Sequence, residues 1–137
     1  MKKPAANPET DTASPELDEE EFLQGAKLVY QRLHEAWDAK DINFIANFTT
    51  KDVLRQIKVQ AKQAPKKGKT EILHINANIL EKKQIKDRVT VSVFYDVLLQ
   101  EGKKGQGSRQ VQEVWQFGKK LTEPEAKWLL EEIQKVQ

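Results

Sequence analysis

Glu113 has the hardest chemistry in the chain to place. It lies in Val111-Gln112-Glu113-Val114-Trp115-Gln116-Phe117, a run that alternates with Val111, Trp115 and Phe117 on one face. Such a run reads as a strand, so Glu113 shares its face with three apolar side chains. A carboxylate there must be paired, protonated or near the mouth of a pocket. Arg88 and Arg109, on or beside neighbouring strands, are the expected partners of a structural ion pair, which is preferred over a ligand-binding carboxylate. His74 and Asp96 fall on what read as the polar faces of neighbouring strands. Together they would suit proton transfer, but that face is the wet one, and solvent-facing sheet residues account for both.

Tyr30, Leu33, Trp37, Tyr95, Trp115 and Trp128 are the large side chains expected to line or fill the interior. They are ligand contacts only where packing leaves a void. Lysines gather as Lys66-Lys67-Lys69, Lys82-Lys83-Lys86, Lys103-Lys104 and Lys119-Lys120. Of these, Lys66, Lys67, Lys69, Lys82 and Lys83 are the candidates for lipid headgroups. Successive hairpin turns alternate between the two ends of a sheet, however, so the charge is split, and solubilising turn lysines are the plainer reading. No aromatic residues are interleaved with them, which argues against nucleic acid. Two histidines and no cysteine make a histidine or thiolate metal site improbable and remove thiol catalysis. The chain has no glycine-rich phosphate loop, Ser/His/Asp set or H-E-x-x-H motif. No enzyme, metal or cofactor is therefore expected.

The elements that carry these residues follow from periodicity. Asp18 to Glu21 put carboxylates where a helix N-terminus favours them. Phe22, Ala26, Val29, Tyr30, Leu33 and Trp37 then recur at steps of three and four, predicting a helix from about Asp18 to Ala39. Asp41 suits the cap of a short helix with Ile42, Phe44, Ile45 and Phe48. Thr49 or Thr50 suits the cap of a third, with Val53, Leu54 and Ile57 buried, fading before Pro65. After a loop at 64–69 the period becomes two. Leu73, Ile75, Ala77 and Ile79 are expected to face inward, with His74, Asn76 and Asn78 outward. A turn over Lys82 to Asp87 leads to a strand over Val89 to Leu99, then a glycine-containing loop, then the Trp115 strand. The run Trp128 to Gln134 closes the set. Three helices and about four consecutive antiparallel strands make an α+β order, with a curved sheet around the first helix and both Trp115 and Trp128 hidden.

The length of 137 residues suits one domain, over 18–137, behind a polar tail at 1–17. No apolar run is long enough to span a bilayer. The first residues lack the apolar core of a secretion signal, so either the protein is cytosolic or an upstream signal or anchor has been cut away. Residues 1–21 carry two basic and seven acidic side chains, whereas 22–137 carry 21 basic and 14 acidic. A basic domain behind an acidic leader suits an acidic partner or anionic lipid.

Three stretches carry a family resemblance. Ala36-Trp37-Asp38-Ala39-Lys40-Asp41-Ile42 and Phe48-Thr49-Thr50-Lys51-Asp52-Val53-Leu54 resemble the helix–turn–helix of Tim44-like domains. Glu113-Val114-Trp115-Gln116-Phe117, with Trp128-Leu129-Leu130 and Ile133-Gln134, resembles that family's closing strands. The resemblance implies a cone like that of nuclear transport factor two, with N-terminal helices on a curved antiparallel sheet and a large apolar pocket. It implies a non-enzymatic, membrane-associated domain, here at a bacterial inner membrane with the anchor missing from this chain. That domain would bind a membrane protein or a translocase or chaperone component, carry an apolar ligand or lipid, and in some cases pair with itself. The alternative is a cone-fold enzyme of isomerase or dehydratase type using His74, Asp96 or Glu113.

Overall fold

Three helices precede four strands in a computed structural model that describes residues 17–63, 70–101, 107–123 and 127–136. Helix α1 spans Glu19–Ala39, α2 Ile42–Ala46 and α3 Lys51–Gln63. Each begins on a side-chain cap. The Asp18 carboxylate accepts from the Glu21 N–H at 3.1 Å, and Asp41 from the Phe44 N–H at 3.1 Å. The Thr50 hydroxyl accepts from the Val53 N–H at 3.4 Å. These bonds satisfy donors that a helix leaves unpaired at its start. Helix α1 stops where Lys40 turns left-handed at φ 61°, and the next N–H, of Asp41, closes back on the Ala36 carbonyl at 2.8 Å.

Strands β1 (Thr70–Ile85), β2 (Arg88–Glu101), β3 (Arg109–Lys120) and β4 (Leu129–Lys135) form one antiparallel sheet in chain order. The β3 alternation holds as expected: Trp115 and Phe117 are buried with Glu113 on the inner face. Strand β1 packs Ile75, Ala77 and Ile79 on the core as expected and departs from the pattern at Leu73. Register shifts at Ile72/His74 and Ile79/Glu81 each add a residue, and an added residue moves the following side chains to the other face. Ile72 therefore packs on the core, while Leu73 is 45% exposed. The strand also continues through Lys82 to Ile85, so only Lys86 and Asp87 form the turn. Bulges of this kind curve a long sheet.

The concave face holds α1. Tyr30, Val91, Val93, Tyr95 and Leu130 have no exposed surface, and Trp115 is 3% exposed. The Tyr95 hydroxyl donates to the Ala26 carbonyl at 2.8 Å, pinning helix to sheet. The connection from α2 to α3 lies along β4: the Leu130 N–H donates to the Phe48 carbonyl at 2.7 Å, and the Thr50 N–H to the Leu130 carbonyl at 3.0 Å. Trp128 stands just before β4 and is only half-buried, which corrects the expectation that both late indoles are enclosed. Phe22 of the first turn of α1 packs against one side of the Trp128 ring. The result is the α+β cone, helices against a curved four-stranded sheet.

Candidate functional site

Helix α1 has a hollow at each end. At its start lies an open cleft of about 370 Å³, walled by Phe22, Val29, Phe117 and Trp128. The rings meet edge to face, Phe22 and Trp128 at 5.1 Å and Phe22 and Phe117 at 5.9 Å between centroids. Such contacts add to the burial they accompany. The Lys119 ammonium stands 5.5 Å from the Trp128 ring. Asp18 and Glu21 line the rim.

At the other end lies a smaller cavity of about 140 Å³. Its walls are Leu33, Trp37, Ile45, Ile57, Trp115 and Ile133, and its polar members are His34, Gln60 and Glu113. Glu113 is 6% exposed. One carboxylate oxygen accepts from the Trp115 indole N–H at 2.8 Å. The other lies 3.4 Å from the ammonium of Lys135, which is directly opposite in the register of β3 and β4. The partner expected at Arg88 is thus found elsewhere. Arg88 pairs with Glu131 on the outer face, above Gly118, where any β-carbon would collide with both side chains. Arg109 lies near enough to Tyr30 for its charge to be felt there.

Between the hollows the aromatic rings are continuous. Tyr30 lies 4.8 Å from Trp115 and 4.7 Å from both Tyr95 and His34. Its hydroxyl is buried and has no hydrogen-bond partner among the described residues. Burial pushes both tyrosine hydroxyls well above the usual phenol range; the charge of Glu113 adds to this at Tyr30, and the neighbouring Tyr30 and then Glu113 add to it at Tyr95.

The candidates named from sequence divide accordingly. Leu33, Trp37, Glu113 and Trp115 line the small cavity, and Trp128 lines the cleft. Tyr30 and Tyr95 fill the space between as core. His74 and Asp96 lie on the convex face, outside both hollows. His74 is exposed and opposite Leu98, whereas Asp96 faces Asn76 and accepts from Gln110 at 2.8 Å. They form no acid–base pair, so the enzyme alternative loses that combination. Lys82 stands on the inner side of β1 and binds Glu19 of α1 at 2.6 Å, and Lys83 is exposed. Lys66, Lys67 and Lys69 lie outside the described residues. Sequence reasoning missed His34 and Gln60 as lining residues and Lys135 as the partner of Glu113. Lys135 follows only from the register of β4, which three consecutive apolar residues, Trp128, Leu129 and Leu130, do not fix.

Among the described residues, no group of three or more His, Cys, Asp or Glu is arranged to hold a metal ion. No described helix is long and apolar enough to cross a membrane. A comparison with curated proteins returns no match. The family model of the Tim44-like domain matches residues 6–135, nearly the whole chain. By that match, and by the cone of helices and sheet that carries it, the chain belongs to the Tim44-like domain family of membrane-associated binding domains linked to protein transport.

Proposed function

We propose that the domain is an adaptor that seats apolar side chains of a protein partner in the cleft at the start of α1. The observation that carries this reading is the cleft itself, with Phe22, Phe117 and Trp128 as walls and the carboxylates of Asp18 and Glu21 at the rim. A volume of about 370 Å³ falls in the range of ligand-sized hollows. Its rim selects a segment whose apolar face is bordered by basic residues. The reading requires a setting beside a membrane-bound transport or assembly machine, and the bacterial inner membrane is the setting we favour.

The test is a peptide pair, one alternating leucine and lysine at helical spacing and one carrying glutamate in place of lysine. The lysine peptide should shift the fluorescence of the protein, lose affinity in salt, and bind far more weakly to Trp128→Ala. Equal binding of the two peptides overturns the reading.

A second observation favours an anionic lipid surface. On α3, Arg55, Lys58 and Lys62 border a shallow hollow shared with Ile42 and with Val59, which is 49% exposed. This basic patch with an apolar centre suits a headgroup layer. Salt-sensitive co-sedimentation with phosphatidylglycerol vesicles, lost in a triple Arg55→Gln, Lys58→Gln, Lys62→Gln variant, is the expected result. Unchanged sedimentation would remove it.

A further inference from the structure

We propose that the small cavity at the end of α1 binds an ammonium group carried on a short apolar stem. It lies at the opposite end of α1 from the cleft, and the inference does not depend on what the cleft binds. Three features set the chemistry.

The charge comes first. Among the described lining residues Glu113 alone has a formal negative charge, and it is 6% exposed, so its carboxylate acts at short range in a poorly hydrated place. A guest without positive charge or a strong donor would displace water from that carboxylate and return nothing.

The second feature is the vacant capacity of the carboxylate. One oxygen is engaged by the Trp115 N–H at 2.8 Å. The other is opposite the Lys135 ammonium at 3.4 Å, longer than a close charged hydrogen bond. Lys135 is 66% exposed and approaches from outside. The pair is half solvated, with Lys135 exposed and Glu113 buried, and its 3.4 Å separation leaves the carboxylate room for a closer donor. The site thus already holds an ammonium of its own chain, loosely, at the oxygen a guest would take.

The third feature is the wall. The indoles of Trp37 and Trp115 line the cavity; Trp115 is stacked on Tyr30 and bonded through its N–H to Glu113, and indole is the side-chain ring that an ammonium group prefers as a neighbour. The remaining wall is aliphatic and suits a methylene stem. At ~30 Å³ per water-sized group, a cavity of about 140 Å³ takes roughly five heavy atoms. That is the size of a butylammonium ion or the end of a lysine side chain.

The shared chemistry has two sources, a free alkylamine or a lysine of a partner polypeptide. Titration of the whole chain with n-butylammonium, followed by tryptophan fluorescence and calorimetry, tests the chemistry. Saturable binding is expected, with n-butanol and butyrate failing to compete. Glu113→Gln, which keeps an acceptor for Trp115, should fold as the parent does and bind at least tenfold more weakly. Lys135→Met removes the internal competitor and should bind several-fold more tightly. A capped lysine tested alone and within a short peptide separates the sources: preference for the peptide assigns a partner polypeptide, and equal or better binding of butylammonium assigns a free amine. Equal binding of butanol and butylammonium, binding unchanged by Glu113→Gln, or no saturable binding even in Lys135→Met would overturn the proposal.

Discussion

At its first turns helix α1 overlies a cleft walled by Phe22, Phe117 and Trp128; at its last turns it overlies a cavity walled by Leu33, Trp37 and Trp115. Both hollows are aromatic, and both have carboxylates. The difference is where the charge stands. Asp18 and Glu21 sit at an exposed rim, where Asp18 also caps the helix. Glu113 is enclosed, bonded to an indole and opposed by a lysine. Rim charges act through water and mainly steer an approach, whereas an enclosed charge discriminates among what enters. The same residue types thus make a tolerant surface at one end of a helix and a selective one at the other.

The largest test of this contrast is truncation of one aromatic at each end. Trp115→Ala should cost about 3–5 kcal/mol, as a buried indole leaves a void. Phe22→Ala, at a half-buried position, should cost no more than about 1–2 kcal/mol. Denaturant melts that give equal losses would mean that the two ends are packed alike.

Alkaline titration probes the space between them. Tyr30 and Tyr95 have hydroxyls raised above the ordinary phenol value of 10.0. Above that pH the unfolded chain gives up these protons while the folded one retains them, so the folded state binds more protons and stability must fall as pH rises. The slope is about 1.4 kcal/mol per pH unit for each tyrosine. It should be fully absent below pH 9, and Tyr30→Phe should remove about half of it.

Glu113→Ala strands the Trp115 N–H inside the protein and should cost about 1–3 kcal/mol, whereas Glu113→Gln should cost less than about 1 kcal/mol. Identical melting shifts would show that the indole bond contributes nothing. The smallest effect separates the two tyrosines. Tyr95→Phe loses the bond to Ala26 and should cost about 1 kcal/mol, while Tyr30→Phe removes a hydroxyl with no partner and should be neutral or stabilising.

Much of the cone was legible in the chain, for local reasons. Asp18, Asp41 and Thr50 are short polar residues in front of apolar repeats, and each caps the helix that it announced. Valine alternation through β2 needs no tertiary information to be read. Strand β1 was read correctly at Ile75, Ala77 and Ile79 and misread at Leu73, because a bulge is a decision of the partner strand: nothing in Ile72-Leu73-His74 marks which leucine or isoleucine turns outward. The acid site was half legible. Glu113 on a dry face announces a requirement, but its answer, Lys135, lies across a strand pair whose register is set by the bulge at Gln116/Phe117. Trp128 was overestimated because size alone says that an indole prefers cover, not how much of it the neighbouring side chains supply.

The two hydrogen bonds that tie Phe48 and Thr50 to Leu130 join segments about eighty residues apart. Closing so long a loop delays its contacts until most of the chain is available. A ribosome must therefore release the chain through β4 before that strand can dock, and until then the helical hairpin has no β4 edge to lie along. Synthesis should pass through a stage in which the Trp115 strand is paired with β2 alone and its other edge is open.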